Sequence, residues 1–156
     1  MGGGNLRFFL LPFFNLRAMN TKARGELGEL AFVHKAASLG FGVAKPHGDN
    51  ERYDFILDSG ERLWRVQVKS SYCRCRSSSG YRTRILRRND LHYGADEIDF
   101  LVAHIAPRNV WYIIPVKSIR GKGFIYFYPS GCSQAGGLFE SYREAWHLLA
   151  ANGPKR

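Results

Sequence analysis

Cysteine is scarce in this sequence, and the three present, Cys73, Cys75 and Cys132, form an odd set without a CxxC pair. That spacing excludes a disulfide framework and a cysteine-built zinc site, and it fits a reducing cytoplasm. No apolar run approaches the ~20 residues that a membrane-spanning helix needs. The N-terminal run, Phe8-Phe9-Leu10-Leu11-Pro12-Phe13-Phe14, is brief and broken by proline. Acids are also few: 13 against 23 Lys and Arg, a formal net charge of +10. This imbalance favours a polyanionic partner and by itself suits a ribosomal protein, a nuclease or a membrane-surface binder. Internal repeats are absent, and Ser77-Ser78-Ser79 is a short low-complexity tract.

What is there is enough for one core: 156 residues, 45% hydrophobic, point to a single α/β domain. Residues 1–18 can be read as a short export signal, since Arg7 precedes the apolar run. We favour Met19, followed by a helical pattern, as the start of the folded unit, with 1–18 an upstream translation or a disordered tail. Over residues 21–39, Leu27, Leu30, Ala31, His34 and Ala37 recur at helical spacing, with Asn20 or Thr21 as N-cap and Gly40 as the stop. His34 is expected to be packed in that stripe. Residues 41–45 predict a short strand, and 52–57 and 62–70 a hairpin around Asp58-Ser59-Gly60. Strands are also predicted over 98–105, 110–115 and 123–128. Ser141-Tyr142-Arg143-Glu144 reads as the capping box of a closing helix.

The hairpin carries the chemistry. A two-residue turn at Ser59-Gly60 would set Asp54 opposite Arg65 and make Gln67 its diagonal neighbour, roughly 7 to 8 Å away between backbones. Arg65, Gln67 and Lys69 share a face because strand side chains alternate. An aspartate and an amide oxygen are hard ligands suited to Mg²⁺, and an ammonium two residues on can orient a water or stabilise charge on a phosphate.

Gly25-Glu26-Leu27-Gly28-Glu29, Lys45-Pro46-His47-Gly48-Asp49, Arg52-Tyr53-Asp54 and Val66-Gln67-Val68-Lys69-Ser70 together resemble the PD-(D/E)XK endonuclease superfamily. Within it, the chain is most similar to the homing endonucleases encoded by cyanobacterial group I introns. The resemblance spans nearly everything from Met19 to the closing segment and is dense through Ser71. It implies an α/β, restriction-endonuclease-like core over 19–156, a central mixed β-sheet flanked by helices. It also implies a metal on Glu29, Asp54 and Gln67, with Lys69 completing the catalytic set. Mg²⁺ is the expected ion, with Mn²⁺ able to substitute. Two positions depart from the pattern: Tyr53 replaces the motif's proline, and Gln67 stands where most members carry an acid. A neutral amide ligates without supplying charge, so metal binding should be weaker. Geometry alone allows either Glu26 or Glu29 to reach the metal; Glu29 is chosen on resemblance.

Residues 71–89 contain Arg74, Arg76, Arg82, Arg84, Arg87 and Arg88 and no acid. Directly after the catalytic strand, they are expected to hold DNA, with Arg82 and Arg84 on one strand face. Asp96, Glu97 and Asp99 are read as solubility and edge protection. Trp111, Tyr112, Tyr126 and Tyr128 are read as core or subunit interface. The expected activity is site-specific, homing-type hydrolysis of double-stranded DNA by a two-fold symmetric homo-oligomer in the cytoplasm, without a membrane. A branched-DNA resolvase or a repair or restriction nuclease is the alternative on the same core. From another class, the alternative is a basic DNA-binding module with a decayed site.

Overall fold

The computed structural model describes residues 19–48, 50–75, 80–131 and 137–150. The expectation for residues 1–18, together with Arg76, Cys132 and the triple serine, falls outside them. One α-helix, α1 (Thr21–Ser38), is followed by β1 (Gly42–Ala44), β2 (Phe55–Asp58), β3 (Leu63–Ser71), β4 (Tyr81–Arg84), β5 (Phe100–Ile105), β6 (Val110–Pro115) and β7 (Phe124–Phe127).

Five strands make the central sheet in the order β1-β2-β3-β5-β6, while β4 and β7 form a separate two-stranded ribbon. Only β3 and β5 run parallel, so the sheet is mixed. Every residue of β5 is buried, as expected for a strand covered on both faces. On one side Val66, Val68, Val102 and Ile113 pack against Phe32 and Ala36 of α1 and against Trp146 and Leu149. On the other, Leu101, Ala103, Tyr112 and Ile114 pack against Tyr81, Ile125 and Phe127 of the ribbon. Asn20 caps α1 by accepting from the Ala23 amide at 2.8 Å, and Gly40 supplies the positive φ (88°) after its end.

The mixed sheet carries α1 on one face, the one α-helix among the described residues, and the ribbon with 3₁₀ turns on the other. Two expectations are corrected. The closing segment forms 3₁₀ turns at Glu140–Tyr142 and Trp146–Leu148 rather than a helix. The reason lies in Glu144, which takes a positive φ (48°) and spends its carboxylate elsewhere. Its two oxygens accept from the Trp111 amide (2.8 Å) and the Trp146 indole (2.9 Å).

The apolar stripe of α1 is also displaced from the one expected. Gly28, Phe32 and Ala36, four residues apart, are buried, whereas Leu27, Leu30 and His34 are exposed. Phe32 anchors that face, stacking against Trp146 (6.3 Å between centroids) and lying 5.2 Å from Phe55.

Candidate active site

The hairpin register differs from the sequence expectation by two residues. Phe55 pairs with Val66 and Asp58 with Leu63, so residues 59–62 form a four-residue loop. Asp58 folds over it to accept from the Gly60 amide (2.7 Å), Gly60 takes φ 86°, and the Ser59 amide donates to the Arg62 carbonyl (3.0 Å). A shift of two keeps every side chain on its face. It leaves Asp54 just before β2, its amide donating to the Val66 carbonyl at 2.9 Å and its side chain reaching Gln67 directly rather than across a diagonal gap. Arg65 is left to form an ion pair with Asp99 at 3.2 Å.

Asp54 and Gln67 touch. The Gln67 Nε2 donates to Asp54 Oδ2 at 2.5 Å, and the Val68 amide donates to the same oxygen at 2.8 Å. Burial raises the Asp54 carboxyl above the ordinary carboxylate range, against the pull of the Val68 amide and the Lys69 ammonium; Glu29 adds to the rise. Burial likewise lowers Lys69, opposed by the charge of Asp54. Glu29 lies within electrostatic reach of both, and its carboxylate holds Lys45 Nζ at 2.8 Å. Glu29, Asp54, Gln67, Lys69, Tyr72 and Arg82 line one cleft of about 460 Å³.

The choice between Glu26 and Glu29 follows from the true buried face of α1. At 3.6 residues per turn, Glu29 stands about 60° from the centre of the Gly28-Phe32-Ala36 stripe and Glu26 about 120°. Accordingly Glu26 is exposed and lines the neighbouring groove rather than the Asp54 cleft. Gly28 lets the helix come this close: a Cβ there would lie 1.9 Å from Ser70 Oγ on β3.

The donor set suits a hard cation. A buried carboxylate whose charged form is disfavoured gains from a dication beside it, and no group of three or more His, Cys, Asp or Glu with metal-site spacing exists among the described residues. Two carboxylates and an amide match an ion that keeps most of its shell as water and substrate oxygens. To serve, Gln67 must present its carbonyl oxygen instead of the amide nitrogen now donated to Asp54.

The chain matches the family model described as PD-(D/E)XK endonuclease over residues 19–135. It belongs to the PD-(D/E)XK endonuclease family. Among solved structures it is similar to the bacterial homing endonuclease I-Ssp6803I, with 32% identity and a TM-score of 0.73, covering 86% of this chain and 94% of that one. No curated protein matches it significantly. A PD-(D/E)XK endonuclease is a nuclease, and DNA is the substrate class its family membership supports. None of its described helices is long and apolar enough to cross a membrane.

The arginines divide. Arg82 and Arg84 project outward from β4 while Tyr81 and Thr83 point into the core. Arg74 is exposed beside its isolated bridge to Tyr81. Arg87 is paired within the fold: its side chain, 18% exposed, forms an ion pair with Glu97, which Arg52 also approaches at 3.9 Å. The Arg88 side chain lies outside the description. Glu97 and Asp99 therefore hold buried structure instead of guarding an edge. Tyr93, unnoticed in the sequence, sits behind the site; burial, then the charge of Asp54, pushes its hydroxyl up to about 12. Tyr126, read as core or interface, is 44% exposed, and Phe124 beside it 42%.

Proposed function

We propose that this endonuclease hydrolyses phosphodiester bonds of double-stranded DNA with the help of a divalent cation, Mg²⁺ with Mn²⁺ as substitute, in a site-specific, homing-type role. The observation that carries this is the convergence of Glu29, Asp54, Gln67 and Lys69 on one cleft. Glu29, Asp54 and Gln67 would hold the ion, which supplies Lewis-acid stabilisation of phosphate charge and a more acidic water. Lys69 places its ammonium beside Asp54, where it orients the attacking water and balances charge growing on the phosphate. The Val68 amide holds the Asp54 carboxylate whichever end Gln67 presents, so its reach into the cleft is set before substrate arrives. Arg74, Arg82 and Arg84 contribute exposed positive charge near this cleft. Cutting both strands requires two such sites, which a two-fold homo-oligomer in the cytoplasm provides. The family match over residues 19–135 supports a catalytic unit that begins at residue 19.

Purified protein incubated with plasmid, linear duplex and four-way junction DNA, with and without Mg²⁺, tests the reading. Metal-dependent cutting of duplex is expected. Preference for the junction would identify a resolvase, and cutting without site preference a repair-type nuclease. Binding without cutting would identify a decayed module, the reading that the neutral Gln67 favours.

A further inference from the structure

The ribbon has an outer face that the basic segment alone does not reveal. Arg82 lies opposite Tyr126 and Arg84 opposite Phe124, and the residues between them, Thr83 and Ile125, are buried. Two arginines and two aromatic rings therefore share one outward surface. They are already organised: the Arg82 guanidinium carbon stands 4.8 Å from the Phe124 ring centroid, and Arg84 is held by Asp90. Exposure of 42% and 44% removes Phe124 and Tyr126 from the core. The formal net charge of +10 opposes covering this basic face with a second copy and favours a polyanion. The face is also continuous with the reaction site, since Arg82 lines the cleft that holds Asp54 and Lys69.

We propose that the outer face of β4 and β7 enters the major groove of duplex DNA beside the cut. There Arg82 and Arg84 address guanine edges, and Phe124 and Tyr126 address the methyl groups of neighbouring thymines. A two-stranded ribbon fits that groove, roughly 12 Å wide, and arginine to guanine and apolar side chain to thymine methyl are the contacts its chemistry permits. Phe124 and Tyr126 are thereby specificity-determining residues. The proposal rests on the endonuclease reading and adds which surface reads sequence.

The test selects sequences from a pool of duplexes with a randomised central block, using the full chain in EDTA. Wild type should enrich a motif containing both guanine and thymine. The double variant Phe124→Ala/Tyr126→Ala should lose the thymine preference and keep the guanines, while Arg82→Ala/Arg84→Ala should do the reverse. Tyr126→Phe, which retains the ring, should keep the thymine preference and guards against a folding defect in the alanine variant. An unchanged motif from the double aromatic variant overturns the proposal, as does a wild type that cuts duplex but enriches no motif. So does an altered solution mass with an unchanged motif, which would mark the face as a contact between copies. Failure of the endonuclease reading is recognised separately: wild type would then not cut plasmid in Mg²⁺, whether or not it enriches a motif in EDTA.

Discussion

The Gln67 side chain and the Val68 amide both donate to a single oxygen of Asp54, at 2.5 and 2.8 Å. Successive residues of one strand thus grip the carboxylate from the side chain and the main chain. Gln67→Glu would replace a donor with an anion, leaving two carboxylates at contact distance in a buried site. Without metal the variant should melt below wild type, because like charges that close cannot both ionise cheaply. With Mg²⁺ it should gain more in melting temperature than wild type does, since the added charge serves the cation. Melting curves with EDTA and with Mg²⁺ check both halves; an equal metal increment in the two proteins would remove Gln67 from the ligand set.

Glu29 and Glu26 are separated by the same helix geometry. Glu29→Gln should reduce cutting by 10²-fold or more, on the order of 3 kcal/mol of barrier. Glu26→Gln, at a residue outside the Asp54 cleft, should cut like wild type. Single-turnover rates on one duplex substrate compare them, and a loss in Glu26→Gln equal to that in Glu29→Gln would reverse the choice.

Gly28→Ala places a methyl 1.9 Å from Ser70 Oγ and 2.8 Å from its Cβ. Overpacking of this kind costs about 1–3 kcal/mol. It should also push Glu29 off the cleft, so cutting should fall in protein that remains folded. Ser70→Gly removes both offending atoms, and the double variant Gly28→Ala/Ser70→Gly should recover part of the activity. Activity and urea midpoints for the three proteins decide it; no recovery would mean that the close approach of α1 to β3 does not position the acid.

The sequence was most readable where chemistry and local pattern coincide. Asn20, Gly40 and the alternation of β4 predicted their elements because caps, positive φ and period-two burial are local properties. The hairpin register was not legible, because the loop length depends on Asp58 folding onto Gly60, a choice between turns that similar residues permit. The parity of strand faces survived that error, so Gln67 and Lys69 still fell on the Asp54 side. The stripe of α1 is not legible because Leu27 and Leu30 are more hydrophobic than Gly28, while burial follows Phe32 and the close approach to β3 that Gly28 permits. Glu144 was mistaken for a capping acid because its true partners, Trp111 and Trp146, lie on other segments of the chain.

Arginines of the basic segment should differ in what their loss does. Arg82→Ala/Arg84→Ala should weaken duplex binding throughout a salt series while melting like wild type, as loss of two exposed base-reading side chains does. Arg87→Ala should instead destabilise the fold, by about 1–3 kcal/mol, as it strands the half-buried Glu97. Its salt slope should match wild type. Binding titrations over a salt series with parallel melts distinguish the two behaviours, and a reduced slope for Arg87→Ala would return that residue to the interface.

Asp54 links stability to activity with opposite signs. Its folded carboxyl is raised above the unfolded value of 3.8, so its contribution favours the fold below that pH and is lost as pH rises through the raised value. At neutral pH in EDTA the buried charge therefore weakens the protein. Asp54→Asn removes the charge and keeps an acceptor for the Val68 amide, so the variant should melt above wild type, by roughly 2–4 °C for each kcal/mol relieved in a domain of this size. Below pH 3.8 the two melting temperatures should converge. In Mg²⁺ the order should narrow or invert, because wild type alone gains a bound dication. Cutting should collapse in the variant, while DNA binding in EDTA should equal or exceed wild type, since a carboxylate facing phosphates repels them. Melts across pH, plasmid cutting in Mg²⁺ and binding titrations in EDTA cover every part. A folded Asp54→Asn protein that cuts at the wild-type rate would sink the proposed site.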